Sequence, residues 1–217
     1  MDSYKKKICA VIMTGGKSSR MGGGIKTLIQ FNKKIIFERI LESLQNQINN
    51  IIINNNDMSY QFKKYNLPII EDKIKGYLGP LAGIHASLEW VSKNLKNIEW
   101  IVSIPGDTPF IPDNLVEKLY NKAESYKKNI IIAKSNEKIH PIIGIWNVNL
   151  LQKLEKAILE GERKIIIWAK KNQLDYQEFV NDRYDPFFNI NYNEDIDTAK
   201  KIETKFIFRQ KSKNADG

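Results

Sequence analysis

The chain has 217 residues, 42% of them hydrophobic and 27% charged, with 34 lysines and arginines against 25 acids for a net charge of +9. That length and balance support one globular domain with a substantial core; the single cysteine, Cys9, excludes an intrachain disulfide and points to a reducing cytoplasm. No run of about 18 apolar residues exists to cross a membrane as a helix, and no apolar segment of secretory-signal length follows the polar, basic residues 1–7.

In chain order, "CAVIMT" (9–14) is an apolar run stopped by glycine and reads as a buried strand. "KIIFERILESLQNQI" (34–48) sets Ile36, Ile40, Leu44 and Ile48 at helical spacing, an amphipathic helix. Strands follow at "NIIINN" (50–55), ending in asparagines, and "LPIIED" (67–72), ending in two acids. Gly-Pro then opens a helix over 79–95. "EWIVSIPGD" (99–107) is a strand ending at a carboxylate. Beyond it come a helix at 112–126, strands at 129–134 and 141–147, and helices at 149–159 and 162–172. "FFNINYNEDIDTAKKIE" (187–203) reads as a strand turning into a last helix, and 206–217 as a frayed tail whose apolar residues could dock. Strands alternating with helices predict an α/β three-layer fold with a mostly parallel sheet. The expected layout is a short polar extension at 1–7, one domain over 8–205, and the tail.

Ligands of such sheets collect at the carboxyl ends of the strands. After the first strand stands "GGKSSRMGGGIK" (15–26), five glycines among cations. Glycines beyond a strand let the backbone turn and present N–H groups to an anion; Arg20 can grip phosphate with two nitrogens and Lys26 adds a point charge. The segment is not a Walker A loop, because Val11 stands where that motif needs glycine, and GxGxxG is absent. The competing reading is a flexible loop with solvated cations. Asn54, Asp72 and Asp107 end the next three strands, and Asp107 in "PGDTP" suits a hard divalent cation or, alternatively, turn and helix-capping chemistry. Asn189 and Asn191, two apart, would share one strand face and offer amide oxygens to a magnesium shell or a ribose; they are also two asparagines in an Asn-rich chain. The +9 charge admits an anionic partner, but the lysines are spread along the chain rather than gathered into a nucleic-acid-binding patch.

The order of these blocks resembles the molybdenum cofactor guanylyltransferases, the MobA family, across about residues 8–202. The family's LAGGxSxRMGxxK loop stands here as "MTGGKSSRMGGGIK", followed by "IIINNN", "IIEDKIKGYLGPLAG", "IPGDTPFIP", "HPIIGIWN", "GERK" and "FFNINYNEDI". The resemblance implies a Rossmann-like nucleotidyltransferase fold and transfer of GMP from GTP to molybdopterin, giving a molybdopterin guanine dinucleotide and pyrophosphate. Met13, Thr14 and Gly15 would border the nucleotide through their backbone, with Arg20 and Lys26 on the phosphates. Asn54 and Asp72 would belong to the guanosine pocket, and Gly79, Pro80, Leu81 and Gly83 to the turn near the base. Asp107 would hold Mg2+ and GTP; His140, Asn189 and Asn191 would lie on the pterin side. Implied partners are the two substrates and transient molybdenum-insertion or acceptor enzymes, with no nucleic acid and no membrane. Met13-Thr14 replaces the usual Leu-Ala, and Ile25 replaces an aspartate that could partner the loop cations. His85, in the first turn of its helix, is structural or solvated. Two other functions stay open: a related nucleotidyltransferase using CTP on molybdopterin or on a sugar or polyol phosphate, and a non-catalytic nucleic-acid or cofactor binder.

Overall fold

The computed structural model describes residues 3–15, 26–57, 59–74, 79–181 and 183–207. Nine strands and six α-helices occur among them, in chain order β1 (Ile8–Met13), β2 (Gln30–Phe31), β3 (Lys34–Ile35), α1 (Ile36–Gln45), β4 (Asn50–Asn54), β5 (Ile69–Ile70), α2 (Pro80–Asn94), β6 (Trp100–Pro105), α3 (Leu115–Tyr126), β7 (Ile130–Ser135), β8 (Lys138–Asn147), α4 (Leu151–Leu159), α5 (Ile165–Lys170), β9 (Leu174–Glu178) and α6 (Asn193–Ile202). Seven strands form one sheet in the order β5-β4-β1-β6-β8-β7-β9, with β2 and β3 a separate hairpin. Pairing is parallel from β5 to β6 and between β7 and β9, and antiparallel on both sides of β8.

Every residue of β1 is buried, as a central strand covered on both faces requires. Its side chains alternate between two cores. Ile8, Ala10 and Ile12 join Phe37, Leu115 and Ala199, so α1, α3 and α6 cover one face. Cys9, Val11 and Met13 join Leu81, Leu154 and Ile165, so α2, α4 and α5 cover the other. The expected three-layer α/β fold with a mostly parallel sheet is present. No described helix is long and apolar enough to cross a membrane.

Several boundaries differ from the sequence expectations. The first helix starts at Ile36 rather than residue 34, because Lys34 and Ile35 pair with the β2 strand through a turn at Asn32 and Lys33, both with positive φ. The third helix starts at Leu115 rather than residue 112, and the strand expected over 67–72 narrows to Ile69–Ile70. Residues 187–191 form no strand: the Phe187 amide is taken by Asp185, that of Ile190 by the Asp107 carbonyl, and that of Asn191 by Asp195, leaving no ladder to join. The half-polar β9, "LDYQE", was not expected at all.

β8 is longer than expected, and its extra length shapes the cleft. A two-residue turn at Asn136 and Glu137, with φ of 47° and 65°, folds it back on β7. Ile132 pairs with Gly144 but Ala133 pairs with His140, so Pro141, Ile142 and Ile143 bulge out of the ladder. Arg39 of α1 pairs with Glu203 just after α6. Both side chains are 8% exposed, and the guanidinium lies 3.9 Å above the Phe31 ring.

Glu137 is exposed and holds a left-handed backbone that costs a non-glycine residue about 1–2 kcal/mol. Glu137→Gly is therefore expected to stabilise the protein by about 1 kcal/mol, read as a higher urea midpoint with unchanged slope.

Candidate active site

Met13 is the register partner of both Asn54 on β4 and Pro105 on β6, so three strands end at one level. The rim is drawn tight by backbone bonds: Thr14 N–H donates to Asn54 O at 2.9 Å and Gly106 N–H to Met13 O at 2.9 Å. The Thr14 hydroxyl donates to the same Asn54 carbonyl (3.0 Å) and accepts from Asn55 Nδ2 (2.8 Å). A Cβ on Gly106 would lie 3.1 Å from Met13 O and 3.2 Å from Thr14 Cα, and would also meet Thr27 Oγ1. Only glycine lets the β1 and β6 ends approach this closely. At Gly83 on α2 a Cβ would fall 2.6 Å from both Asn54 Oδ1 and Met13 Cε, so that helix also needs glycine to seat against the rim.

Above the rim opens a cleft of about 900 Å³. Met13, Thr14, Gly15, Lys26, Asn54, Asp72, Gly79, Pro80, Gly83, Asp107, His140 and Asn189 all line it. Arg20 lies outside the described residues. Leu81 sits next to the cleft in sequence, but its side chain is wholly buried in the α2 core. His85 is 3% exposed, with its Nε2 4.0 Å from Glu155 and neither ring nitrogen hydrogen-bonded among the described residues; burial holds its pKa below the usual range. Of the two readings for His85, the structural one holds.

Asp107 follows β6 and is largely removed from water. Its Oδ1 is buried without a hydrogen-bond partner among the described residues. Burial pushes its pKa up, and the positive charge of Lys26 pulls part of the way back. A buried carboxylate oxygen left without a donor is what a divalent cation's ligand requires, so the site fits such an ion. Beside it runs the 187–191 segment, attached at three points: Ile190 N–H to Asp107 O (3.0 Å), Thr108 Oγ1 to Asn189 Oδ1 (2.8 Å), and Lys26 Nζ to Asn191 Oδ1 (2.9 Å). Asp195, in the first turn of α6, fixes the segment's exit by accepting from the amides of Asn191 and Tyr192. Both asparagines thus reach the same site as Asp107 and Lys26 without any strand.

On the β4 side, the Asp72 carboxylate is held by two amides, Asn54 Nδ2 on Oδ1 and Asn56 Nδ2 on Oδ2, each at 2.9 Å. Asn56 Oδ1 also accepts the Asp72 amide at 2.8 Å. Sequence reasoning did not single out Asn56; the run of three asparagines at 54–56 was its only signal. On the opposite wall, the β8 bulge brings Ile139, Pro141, Ile142 and Ile143 to the cleft beside His140, with Lys138 at the edge.

Residues 10–174 match the family described as "MobA-like NTP transferase domain". A protein of Nitrobacter hamburgensis named molybdenum cofactor guanylyltransferase is 36% identical over 193 residues, 88% of this chain and 92% of that one. A Yersinia pestis protein of the same name is 34% identical over 192 residues, 88% and 93% of the two chains. Among solved structures, molybdopterin-guanine dinucleotide biosynthesis protein A from Archaeoglobus fulgidus superposes with a TM-score of 0.74 at 27% identity, covering 91% of this chain and 99% of that one.

Asp107 carries a testable cost. A carboxyl whose folded pKa lies above its unfolded value binds its proton more tightly when folded, so stability is lost as pH rises through that interval and stays lost at neutral pH. Without divalent cations, Asp107→Asn is expected to melt above the wild type at about pH 7. The difference should close at about pH 3, below the unfolded carboxyl's pKa of about 3.9; thermal unfolding at both values checks it.

Proposed function

The chain belongs to the MobA-like NTP transferases, and from that premise we propose that it transfers GMP from GTP to molybdopterin, releasing pyrophosphate. The observation that carries the reading is the convergence of Met13–Gly15, Lys26 and Asp107, whose Oδ1 has no partner among the described residues, on one cleft, with Asn54 and Asp72 along its side.

The acceptor oxygen belongs to a phosphate monoester, whose second pKa of about 6 leaves it mostly dianionic at neutral pH. It attacks the α-phosphorus as the bond to the bridging oxygen of pyrophosphate breaks, and no general base is needed. The obstacle is repulsion between two anions. Asp107 would hold a divalent cation, Mg2+ in this reading, which when bound supplies charge neutralisation at the triphosphate. Lys26, bonded to Asn191, would move toward the phosphates and take up charge on the departing pyrophosphate, and Arg20, six positions earlier in sequence, would act with it. The backbone of Met13, Thr14 and Gly15 lines the nucleotide's path, and the Asn54–Asp72 pair receives the nucleoside with donors and acceptors already oriented. Gly79, and Pro80 and Gly83 in the first turn of α2, line the cleft beside that pair. Asn189, which lines the cleft with His140, and Asn191, bonded to Lys26, would lie on the side of the second substrate.

The test is pyrophosphate release with GTP and CTP side by side in the presence of molybdopterin. GTP is expected to turn over and CTP not, with turnover lost on chelation and restored by excess magnesium. Asp107→Ala is expected to lower kcat by at least about 10²–10³-fold, the scale of losing one preorganised electrostatic partner. A near wild-type rate in that variant would overturn the metal-holding role, and preference for CTP would overturn the guanylyl assignment.

A further inference from the structure

The wall of the cleft opposite Asp72 carries a polar relay that the transfer chemistry above does not use. His140, 6% exposed, lines the cleft, and its Nε2 lies 2.7 Å from Ser135 Oγ. Ser135, wholly buried, also lies 2.7 Å from Asp185 Oδ1. That same carboxylate oxygen accepts the Phe187 amide at 2.9 Å, and the Phe187 ring packs against the His140 ring at 4.8 Å between centroids. One oxygen of Asp185 therefore fixes both the hydroxyl at the edge of the imidazole and the aromatic ring on its face.

Proton counting settles the direction of the relay. A serine hydroxyl has one hydrogen, and a carboxylate can only accept. Ser135 gives that hydrogen to Asp185, so toward His140 it can only accept, and Nε2 must carry a proton. Burial, only partly opposed by Asp185, holds the His140 pKa below the usual range and keeps the ring neutral near pH 7. The proton on Nε2 then leaves a lone pair on Nδ1. Nδ1 has no hydrogen bond to the described residues and is not among their buried unsatisfied atoms, so it is accessible on a residue that lines the cleft. Around it the wall is apolar: Ile139, Pro141, Ile142 and Ile143. An imidazole acceptor set among apolar side chains, with the Lys138 ammonium also lining the cleft, suits a planar heterocycle bearing a ring N–H.

We propose that His140 Nδ1 is the hydrogen-bond acceptor for a ring N–H of the second substrate, and that Ser135 and Asp185 are positioning residues that hold His140 in the Nε2–H tautomer. The assignment of that ring to a pterin rests on the function proposed above; the tautomer does not.

The chain has only two histidines, so long-range 1H–15N spectra of the wild-type protein read the tautomer directly, with the His140 signals identified by their loss in His140→Gln. The Nε2–H form near neutral pH is expected; an Nδ1–H or imidazolium form would overturn the proposal. Kinetics with GTP and molybdopterin supply the second reading. In His140→Gln the amide can still reach Ser135 but leaves nothing at the Nδ1 position, whereas the shorter His140→Asn places an oxygen there and abandons Ser135. Gln is expected to raise the molybdopterin KM by about tenfold, the loss of one hydrogen bond, and Asn by distinctly less, with the GTP KM unchanged in both. The reverse order, or no effect of Gln, would show a merely structural histidine and overturn the proposal. Absence of any guanylyl transfer by the wild type is the separate result that would overturn the function itself, and the spectra judge the relay in that case too.

Discussion

The pairing of β1 with β4 on one side and β6 on the other, with Met13 in register with both Asn54 and Pro105, sets the level at which three strands stop. From that level Thr14 reaches Asn54 and Gly106 reaches Met13, each through the backbone. The bonds hold because β1 is buried on both faces, where an unpaired N–H or C=O would cost more than the bond itself contributes. Side chains that follow the rim, Asp107 above all, inherit a fixed position from the sheet. A shift of one register step would turn Met13 toward the other core and separate Gly106 from the β1 end.

Rigidity at the rim contrasts with polar tension within the cleft. Asp107 holds an oxygen that no described residue satisfies, and Lys26 supplies an opposing charge while donating a hydrogen bond to Asn191. Such a group lowers the stability of the empty protein and is explained by a ligand that completes it. Asp72 is the opposite case. Both of its oxygens are already occupied by the amides of Asn54 and Asn56, so it arrives at the ligand oriented rather than in need. The two carboxylates differ in environment, and that difference underlies the proposed division between cation holding and nucleoside recognition.

Much of the frame was legible in the sequence because its signals are local. Apolar runs stopped by glycine, asparagine or an acid marked β1, β4 and β6, and helical spacing marked α1 and α2. What escaped depended on distant partners. "LDYQE" becomes β9 only because β7 offers an open edge, and nothing in its half-polar pattern announces a strand. Asn189 and Asn191 were paired by an expected strand periodicity; the structure brings both to the site through bonds to Thr108 and Lys26, the latter 165 positions away in sequence. The β8 bulge could not be read from "HPIIGIWN", since a bulge is a property of two strands and not of one. The Ser135–His140–Asp185 relay joins residues 50 positions apart and carries no local signature at all.

The latch of residues 187–191 on Asp107 and Thr108 is continuous with α6 and with the Glu203 pair to Arg39. A ribosome makes the rim, Lys26 and Asp107 long before it makes the segment that closes over them. The nascent chain therefore has a sheet edge and a charged hollow but no finished wall. Arg39 rests on the Phe31 ring and carbonyl but lacks its carboxylate partner until residue 203 arrives, and the buried bridge then ties the end of α6 to α1. Closure of this side of the cleft therefore depends on residues 187–203, which follow every strand of the sheet in the chain.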